Sequence, residues 1–338
     1  MKRIALILAI GVLAVAMAPA QSVDFSTFQT DFQNFATDVA GTLASTATLT
    51  GLNWAPAYIG QIPHFGLGVS VGAGLIPYAA VQPIFTLLGV QLPSSLSMLT
   101  SYGIPLPGAA VDFRLGGFIL PFDIGLKFGY IPPEVQQALG DLQLQYLMAG
   151  GDVRLALLKD EGLMPALSVG AGFTYFKGLV GLSNVIPGDT VLDVSQAMNY
   201  AGYPGTHTLT ISSPDLAFDW QSSVIEVKAQ VSKKLLFIVP TIGVSAAYGI
   251  STAGGGLNST LTYQGPNSLA TVQQVFQAAG YTLPSATGIS VDAAATGWSF
   301  RAFGGVGLSL LFLDIDVTGS YDLLTGSLGG GASIRIQL

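Results

Sequence analysis

The chain has 338 residues, of which 50% are hydrophobic, 9% are charged and 43 are glycine, and its formal net charge is −7. Soluble domains carry about 25% charged residues, so this composition excludes an ordinary surface that faces water throughout. The negative charge argues against a nucleic-acid partner, and the absence of cysteine excludes a disulfide framework.

The first twenty residues have the pattern of a secretory signal peptide. Lys2 and Arg3 precede the apolar run Ile4 to Ala16, and Ala18-Pro19-Ala20 is a small-x-small cleavage site. No other apolar run reaches the ~20 residues that a membrane-spanning helix needs. We therefore expect residues 1–20 to direct export and to be removed, and the alternative is a retained membrane anchor.

The next segment, residues 21–63, begins with an amphipathic helix predicted over Val23 to Leu43. Its aromatic residues recur in steps of three and four, and its other face consists of Ser, Thr, Asp, Asn and Gln. The stripe contains Phe25, Phe28, Phe32 and Phe35. Two placements fit this helix, either in the periplasm against the main domain or as a plug inside its lumen.

From His64 onward, apolar and polar residues alternate in segments of about ten residues, the pattern of strands with one apolar face. Such segments begin near Phe65, Val111, Phe122, Leu142, Leu167, Leu216 and Leu236, and three more fill 297–338. In lipid, only helices and closed barrels satisfy every backbone group. We therefore predict an all-β fold over residues 64–338, a transmembrane antiparallel β-barrel of about ten strands within a range of about 8 to 14.

The apolar positions change phase in two of the predicted strands. They are even-numbered up to Met148 and odd-numbered from Val153, which predicts a β-bulge at Gly150-Gly151. A similar change follows Trp220, at Ser222-Ser223. Both interpretations assume that apolar residues always face outward.

The connections alternate between short turns and long loops, as in outer-membrane barrels, except for a short one near Leu324. With the short turns in the periplasm, aromatic residues fall on the apolar face at the outer ends of the strands. This predicts a girdle at one membrane interface. The predicted girdle is Tyr130, Tyr146, Tyr175, Trp220, Tyr248, Trp298 and Tyr321.

The charged residues share the polar strand face. Because a lysine or arginine facing lipid at the midplane costs ~2–4 kcal/mol, this face is predicted to line the lumen. The candidate lumen residues are Asp112, Arg114, Asp123, Lys127, Asp152, Arg154, Glu226, Lys228, Arg301, Asp314, Asp316 and Arg335. They form either an ion-pair network that fills a narrow barrel or a lining that selects solutes. We expect Asp314 and Asp316 to pair with Arg301 and Arg335.

The long loops contain a repeat, because half of the fourteen positions in 81–94 are identical in 272–285. Each copy predicts a short helix stopped by a glycine in the left-handed conformation, with fainter copies near Val135 and Ser195. The candidate apolar lid residues are Phe85, Leu88, Val272, Val275 and Phe276. These helices either pack on each other or line an entry site for a hydrophobic ligand. The polar segments 207–212 and 257–264 are predicted as loop hairpins or as additional barrel strands.

The sequence offers little for catalysis or metal binding. Its two histidines, His64 and His207, are predicted near opposite ends of the barrel, and neither has an acidic residue or cysteine at ligand spacing. We expect no cofactor, no metal and no enzymatic activity. Glycines on the lumen face leave room for water, a ligand or a folded segment.

In general layout the chain resembles uncharacterised exported β-barrel proteins of Gram-negative bacteria and spirochaetes. With about forty mature residues before the first strand, Asn53-Trp54-Ala55-Pro56-Ala57 near their end and apolar outer loops, it also resembles, more loosely, the long-chain fatty-acid transporter family, which implies a hatch in the lumen. It departs from that family in having about ten strands instead of fourteen, and in ending at Leu338 rather than at an aromatic residue.

These features predict a protein of the outer membrane, in contact with its lipid, that lets a small hydrophobic molecule pass or binds it. The alternative is a structural or adhesive surface barrel that its own ion pairs close.

Overall fold

The computed structural model describes residues 25–49, 57, 64–80, 82, 101–117, 121–131, 142–182, 188–213, 215–278 and 289–337. Its elements are α1 (Phe25–Leu49), β1 (His64–Ile76), β2 (Ile104–Gly116), β3 (Phe122–Tyr130), β4 (Leu142–Leu158), β5 (Ala166–Leu182), β6 (Thr190–Asp193), α2 (Ser195–Tyr200), β7 (Thr208–Ile211), β8 (Asp215–Ser232), β9 (Ile238–Asn258), β10 (Leu261–Gln264), α3 (Leu269–Ala278), β11 (Ile289–Leu310), β12 (Leu313–Asp322) and β13 (Leu328–Gln337). Within these ranges, no helix is both long and apolar enough to cross a bilayer. The predicted signal peptide lies outside the described residues.

Ten strands close into one antiparallel barrel in the order β1-β13-β12-β11-β9-β8-β5-β4-β3-β2. β1 pairs with β2 and with β13, and the second pairing, from Gly66 opposite Gln337 to Gly74 opposite Gly329, closes the cylinder. Closure leaves no unpaired edge, so the strands keep their hydrogen bonds even in hydrocarbon. The predicted ten-stranded transmembrane barrel is confirmed.

The two ends of the barrel differ in their connections. The short turns after β4, β8 and β11 lie at one end, which we call the turn end. The long connections after β1, β3, β5 and β9 lie at the other, the loop end, together with the short turn between β12 and β13. The predicted alternation of turns and loops, with its one exception, is therefore confirmed.

The barrel wall is higher on one side. β4, β5, β8, β9 and β11 contain 17, 17, 18, 21 and 22 residues, whereas β3, β12 and β13 contain 9, 10 and 10. A tilted strand crosses a bilayer in about 9–11 residues. The long strands are neighbours, and β11 continues to Ile289 beyond Arg301, where β12 ends. They form a tall wall that extends past the bilayer at the loop end.

Apolar side chains cover the outer face of the barrel, as the alternation predicts. Leu126, Ile225 and Val317 are 58%, 62% and 60% exposed although they lie mid-strand. Water would make such a surface unfavourable, since burying a side chain of this size stabilises by about 1.5–3 kcal/mol. Hydrocarbon removes that cost.

Strands β6, β7 and β10 form a separate sheet in the order β10-β7-β6. Together with α2 and α3 they enclose their own apolar core, and we call this unit the lobe. Its core residues are Val194, Met198, Leu209, Leu261 and Val272. The polar segments predicted at 207–212 and 257–264 contribute β7 and β10 to this lobe and leave the barrel count at ten. α2 ends just before Gly202, whose φ of +88° is the left-handed conformation predicted for its stop.

The two predicted changes of phase are wrong. β4 keeps one register with β5 from Leu142 to Ala156, and the irregularity falls between Ala156 and Leu158 rather than at Gly150-Gly151. β8 pairs without interruption with both of its neighbours through Ser222-Ser223. Because the strands do not bulge at these points, Tyr146 and Met148 of β4 and Trp220 of β8 point into the barrel, where all three are buried.

Candidate functional site

The lumen near the turn end is lined by charge, and we call this half the charged floor. All twelve predicted lumen residues lie there: ten are buried and the other two, Lys127 and Asp152, are partly buried. They comprise six basic and six acidic side chains, so their formal charges cancel. Charged side chains removed from water are tolerated only when they are paired or hydrogen-bonded. The stability of the charged floor therefore depends on the partners of its side chains.

The densest part of the charged floor spans β2, β3 and β4. The Asp123 carboxylate, fully buried, accepts hydrogen bonds from Arg114 and from Arg154, whose Nη2 lies 2.6 Å from Asp123 Oδ2. Arg114 also donates from Nη2 to both oxygens of Asp152, at 2.8 and 2.9 Å. Asp123 and Arg154 are direct partners in the strand register, so the sheet itself brings the two charges together.

The remaining pairs lie on the opposite side of the charged floor. Arg335 pairs with Asp316 and lies 4.0 Å from Asp314, as predicted. The prediction that Arg301 shares these acids is wrong. Arg301 donates to Ser245 Oγ at 3.1 Å on β9 and pairs with Glu226 beyond it on β8. A guanidinium on a curved wall can span one intervening strand when that strand carries a small residue.

The lumen near the loop end is mostly apolar along the tall wall, with the small polar residues Thr174, Ser222 and Ser251 among its buried side chains, and we call this half the upper lumen. The tall wall turns five buried side chains inward: Tyr146, Met148, Phe176, Trp220 and Val224. Their rings contact each other, with Phe176 5.6 Å from Tyr146 and 5.8 Å from Trp220 between centroids. The Trp220 ring lies over Gly178, where any side chain would collide with it. Among the described residues, nothing accepts a hydrogen bond from Trp220 Nε1.

The inward direction of Tyr146 and Trp220 corrects the predicted girdle. Tyr130, Trp298 and Tyr321 do face outward, with 55%, 53% and 47% of their surface exposed. Tyr146 and Trp220 are 6% and 2% exposed inside the barrel. The assumption that apolar residues face lipid fails here because the lumen at this height contains another apolar segment, the helix α1.

The structure places α1 inside the barrel, where it extends beyond the predicted Val23–Leu43 to Leu49. Residues 42–49 are all buried, polar side chains included. Of the predicted plug stripe, Phe35 is buried and packs edge-on against Phe218 of the tall wall, with ring centroids 5.3 Å apart. The side chains of Phe25, Phe28 and Phe32 lie outside the described part of the chain.

The C-terminal turns of α1 rest on the charged floor. Arg301 Nη1 donates to the Ser45 carbonyl at 3.0 Å, and Lys127 Nζ donates to the Ala47 carbonyl at 3.2 Å. The last four carbonyls of a helix, here including that of Ala47, lack intrahelical partners, and the C-terminal end carries the negative end of the helix dipole, so cations are favourable there. Two residues of the charged floor therefore hold the end of the helix.

Glycines in the shorter part of the wall make room for α1. At Gly74 a side chain would collide with Thr46, and at Gly329 a Cβ would lie 3.3 Å from Leu49 Cδ2. Of the three occupants expected for the glycine-lined space, the structure contains the folded segment.

Of the five candidate lid residues, three lie in the described part of the chain and two do not. Val272, Val275 and Phe276 lie on α3 and turn into the core of the lobe, so they pack on the lobe instead of lining the barrel mouth. Phe85 and Leu88 lie outside the described residues. The lobe also contains His207, fully buried, whose Nδ1 lies 2.6 Å from the Tyr263 hydroxyl and whose Nε2 lies 2.9 Å from the Tyr203 carbonyl.

The other histidine, His64, begins β1 at the turn end, far along the chain from the lobe. Within the described ranges, no group of three or more His, Asp or Glu side chains is placed to hold a metal ion. The absence of a cofactor and of an enzymatic activity stay predictions.

Comparisons with known proteins give only distant likenesses. No protein-family model matches the sequence, and no curated protein matches it. Among solved structures, the chain is similar to the outer membrane protease OmpT from Escherichia coli, with a TM-score of 0.33, 8% identity and coverage of 82% of this chain and 96% of that one.

Two further likenesses are weaker still. The translocator domain of the autotransporter NalP from Neisseria meningitidis has a TM-score of 0.30 and 6% identity, over 87% of this chain and 93% of that one. The toluene transporter TbuX from Ralstonia pickettii has a TM-score of 0.22 and 13% identity, over 89% of this chain and 94% of that one.

Proposed function

We propose that this protein lies in a bacterial outer membrane and binds a small hydrophobic molecule in the upper lumen, from which the molecule passes into or across the membrane. The apolar outer face of a closed barrel supports the location, since hydrocarbon is the solvent that such a face fits. No catalytic step is part of this function.

The observation that carries the proposal is the apolar inner face of the tall wall. Outer-membrane barrels usually have a polar interior, and the charged floor of this chain follows that rule. Above that floor, Tyr146, Phe176 and Trp220 instead present an aromatic surface inside the barrel. Ligand sites are typically apolar with a few polar groups that fix orientation. The free N–H of Trp220, without an acceptor among the described residues, is such a group.

In the structure, α1 occupies this space. Its Phe35 packs against Phe218, whose ring lies 5.5 Å from that of Trp220, and Arg301 and Lys127 hold its C-terminal turns. A hydrophobic ligand would therefore compete with the helix for the same surface. Withdrawal of α1 toward the loop end would expose the surface without disturbing any barrel strand.

The alternative function, a closed structural barrel, draws on the charged floor. Most of its acidic and basic residues form ion pairs, and α1 lies directly on it, so ions have no evident path. Under this alternative the upper lumen serves only to hold the helix.

Uptake of a neutral aromatic dye into liposomes separates the two functions. We expect Trp220→Ala to reduce uptake strongly, because the substitution removes the centre of the aromatic surface. Trp298→Ala is the matched control, since Trp298 is 53% exposed on the outer face. Phe35→Ala should increase uptake by loosening α1. Equal behaviour of all four proteins, with no dye entering or bound, would show that the barrel is closed.

A further inference from the structure

Three turns at the turn end carry large apolar side chains at their tips. Leu163 in the β4–β5 turn is 99% exposed, Leu236 in the β8–β9 turn is 83% exposed and Leu311 in the β11–β12 turn is 98% exposed. These turns are neighbours, because β5 pairs with β8 and β9 pairs with β11. We call the exposed apolar residues of the three turns the leucine rim. They are Leu163, Met164, Leu235, Leu236, Phe237, Leu311 and Phe312.

Two of these leucines have an unfavourable backbone conformation. Leu236 and Leu311 have φ values of 60° and 55°, in the left-handed region where glycine and asparagine are favoured and a bulky side chain is strained. The β4–β5 turn follows the usual rule, since Gly162, with a φ of 57°, takes that conformation and Leu163 follows it. The exposure of Leu236 and Leu311 means that contacts within the protein do little to offset this strain. A strained residue of this kind points to a function outside the fold.

Lys233, Lys234 and Asp160 in the same turns have hydrogen-bond partners within the protein, whereas Lys159 and Glu161 of the β4–β5 turn are exposed. Lys233 Nζ pairs with the Asp160 carboxylate and donates to the carbonyls of Gly162 at 2.6 Å and Met164 at 3.2 Å. Lys234 donates from its backbone nitrogen to Asp160 at 2.6 Å. A lysine in water needs no such partners, whereas one that leaves water does.

Hydrogen bonds also join the second turn to the third. The Ser309 backbone nitrogen donates to the Phe237 carbonyl at 2.8 Å, and Lys234 Nζ donates to Ser309 Oγ at 3.2 Å. Lys233 and Lys234 thus connect all three turns, and the leucines of these turns point outward.

The leucine rim continues the surface that faces lipid. On β11, Val306, Leu308 and Leu310 are 52%, 39% and 47% exposed on the outer face, and Leu311 and Phe312 follow them directly. On the neighbouring strand, Ile242 and Ile238 lead to Phe237 in the same way. On these two strands, no charged residue separates the rim from the apolar band of the barrel.

We propose that the leucine rim is a phospholipid-binding surface, seated at the boundary between headgroups and acyl chains of the leaflet at the turn end. Phospholipid is the partner that this surface fits, because the rim continues the apolar outer face of the barrel and the lipid that covers that face also reaches the rim. Transfer of exposed leucines from water to this boundary is favourable and offsets the strain at Leu236 and Leu311. The rim would then fix the depth of the barrel in the bilayer.

The absence of cysteine in the chain allows a direct test. A nitroxide attached to a single cysteine in the Leu236→Cys variant reports its depth through collisions with oxygen, which concentrates in lipid, and with a polar nickel chelate, which stays in water. The protein is placed in vesicles of phosphatidylethanolamine and phosphatidylglycerol. Ile225→Cys, in the middle of the apolar band, and Thr206→Cys, exposed in the lobe, are the lipid and water references.

We expect the label at position 236 to collide severalfold less with the nickel chelate than the label at position 206, and more with oxygen. A label at position 236 that behaves like that at position 206 would overturn the proposal. Spin–spin broadening between labels at position 236, which would place the rim against a second copy, would overturn it as well. The Leu163→Cys variant repeats the test at a position without a left-handed backbone, so a folding defect of one variant does not decide the result.

Discussion

The two halves of one lumen solve the same burial problem by different chemistry. In the charged floor, charged side chains are stabilised away from water by ion pairs, as the Asp123 carboxylate is by Arg114 and Arg154. In the upper lumen, side chains that prefer oil are kept dry by packing against each other and against α1. The strands that line the two halves are the same, so inward direction alone does not decide whether a position is polar.

This difference indicates how each half should respond to change. A buried ion pair contributes little net stability, but removing one partner strands a charge without solvation. An apolar surface tolerates the loss of one contact and can accept another apolar partner in its place. The charged floor is therefore expected to be rigid and the upper lumen to be exchangeable.

The largest effect is expected from Asp123→Asn in the charged floor. The substitution keeps the shape of the side chain but leaves two buried guanidiniums facing a neutral group. Breaking a buried pair in this way costs about 3–5 kcal/mol. The free energy of unfolding by urea in lipid vesicles measures it.

The control for this variant is Ser168→Ala on β5. Ser168 is 1% exposed, and within the described residues its hydroxyl has no hydrogen-bond partner, so its removal should change stability little. If both variants lose the same amount, the charged floor does not depend on its pairing and the contrast with the upper lumen fails.

A smaller effect is expected from Gly74→Val, which acts on the helix instead of the barrel. The new side chain would collide with Thr46, so α1 must shift or leave. Overpacking of this kind typically costs about 1–3 kcal/mol. Amide hydrogen exchange should show loss of protection in residues 42–49, with the barrel strands unchanged.

Gly319→Val on β12 is the control, because a Cβ at Gly319 has no described atom within 4 Å. It adds the same side chain to the barrel without touching α1. Unchanged protection of residues 42–49 in the Gly74→Val variant would contradict the placement of the helix.

The fold was largely predictable because membranes restrict the choices. Every strand with a mid-strand charge had a fixed orientation, and Asp112, Arg154 and Glu226 therefore identified the lumen face of three strands. Glycines on that face, such as Gly74, indicated free volume inside. The sequence did not show that α1 fills it, since an amphipathic helix packs equally well outside a barrel.

The upper lumen was not predictable by the same rule. Tyr146 and Trp220 are apolar, so the rule assigned them to lipid and required bulges that do not exist. A signal was present in β8, where Trp220, Ser222, Val224 and Glu226 share one parity. Extending the inward direction of Glu226 along an unbroken strand would have placed Trp220 inside. The pairing of Arg301 with Glu226 gave no such signal, because the two residues lie on strands that do not pair with each other and are separated by β9.

The smallest effect is expected from an ion pair at the membrane edge, Asp160 with Lys233, which tests whether the strength of the charged floor comes from burial. Partial burial acts to raise the pKa of Asp160, but hydrogen bonds from the Lys233 ammonium and the Lys234 backbone outweigh it and hold this pKa below its usual value. A depressed folded-state pKa contributes stability that is present above the unfolded pKa, about 3.9, and is lost as pH falls through the folded value. After screening by solvent, this pair is expected to contribute no more than about 1 kcal/mol.

Urea unfolding of the wild type and of Asp160→Asn should therefore differ slightly near neutral pH and converge in acid, with Glu161→Gln as the control for loss of a neighbouring charge. A loss at Asp160 as large as that at Asp123 would show that pairing, and not burial, sets the strength of these contacts.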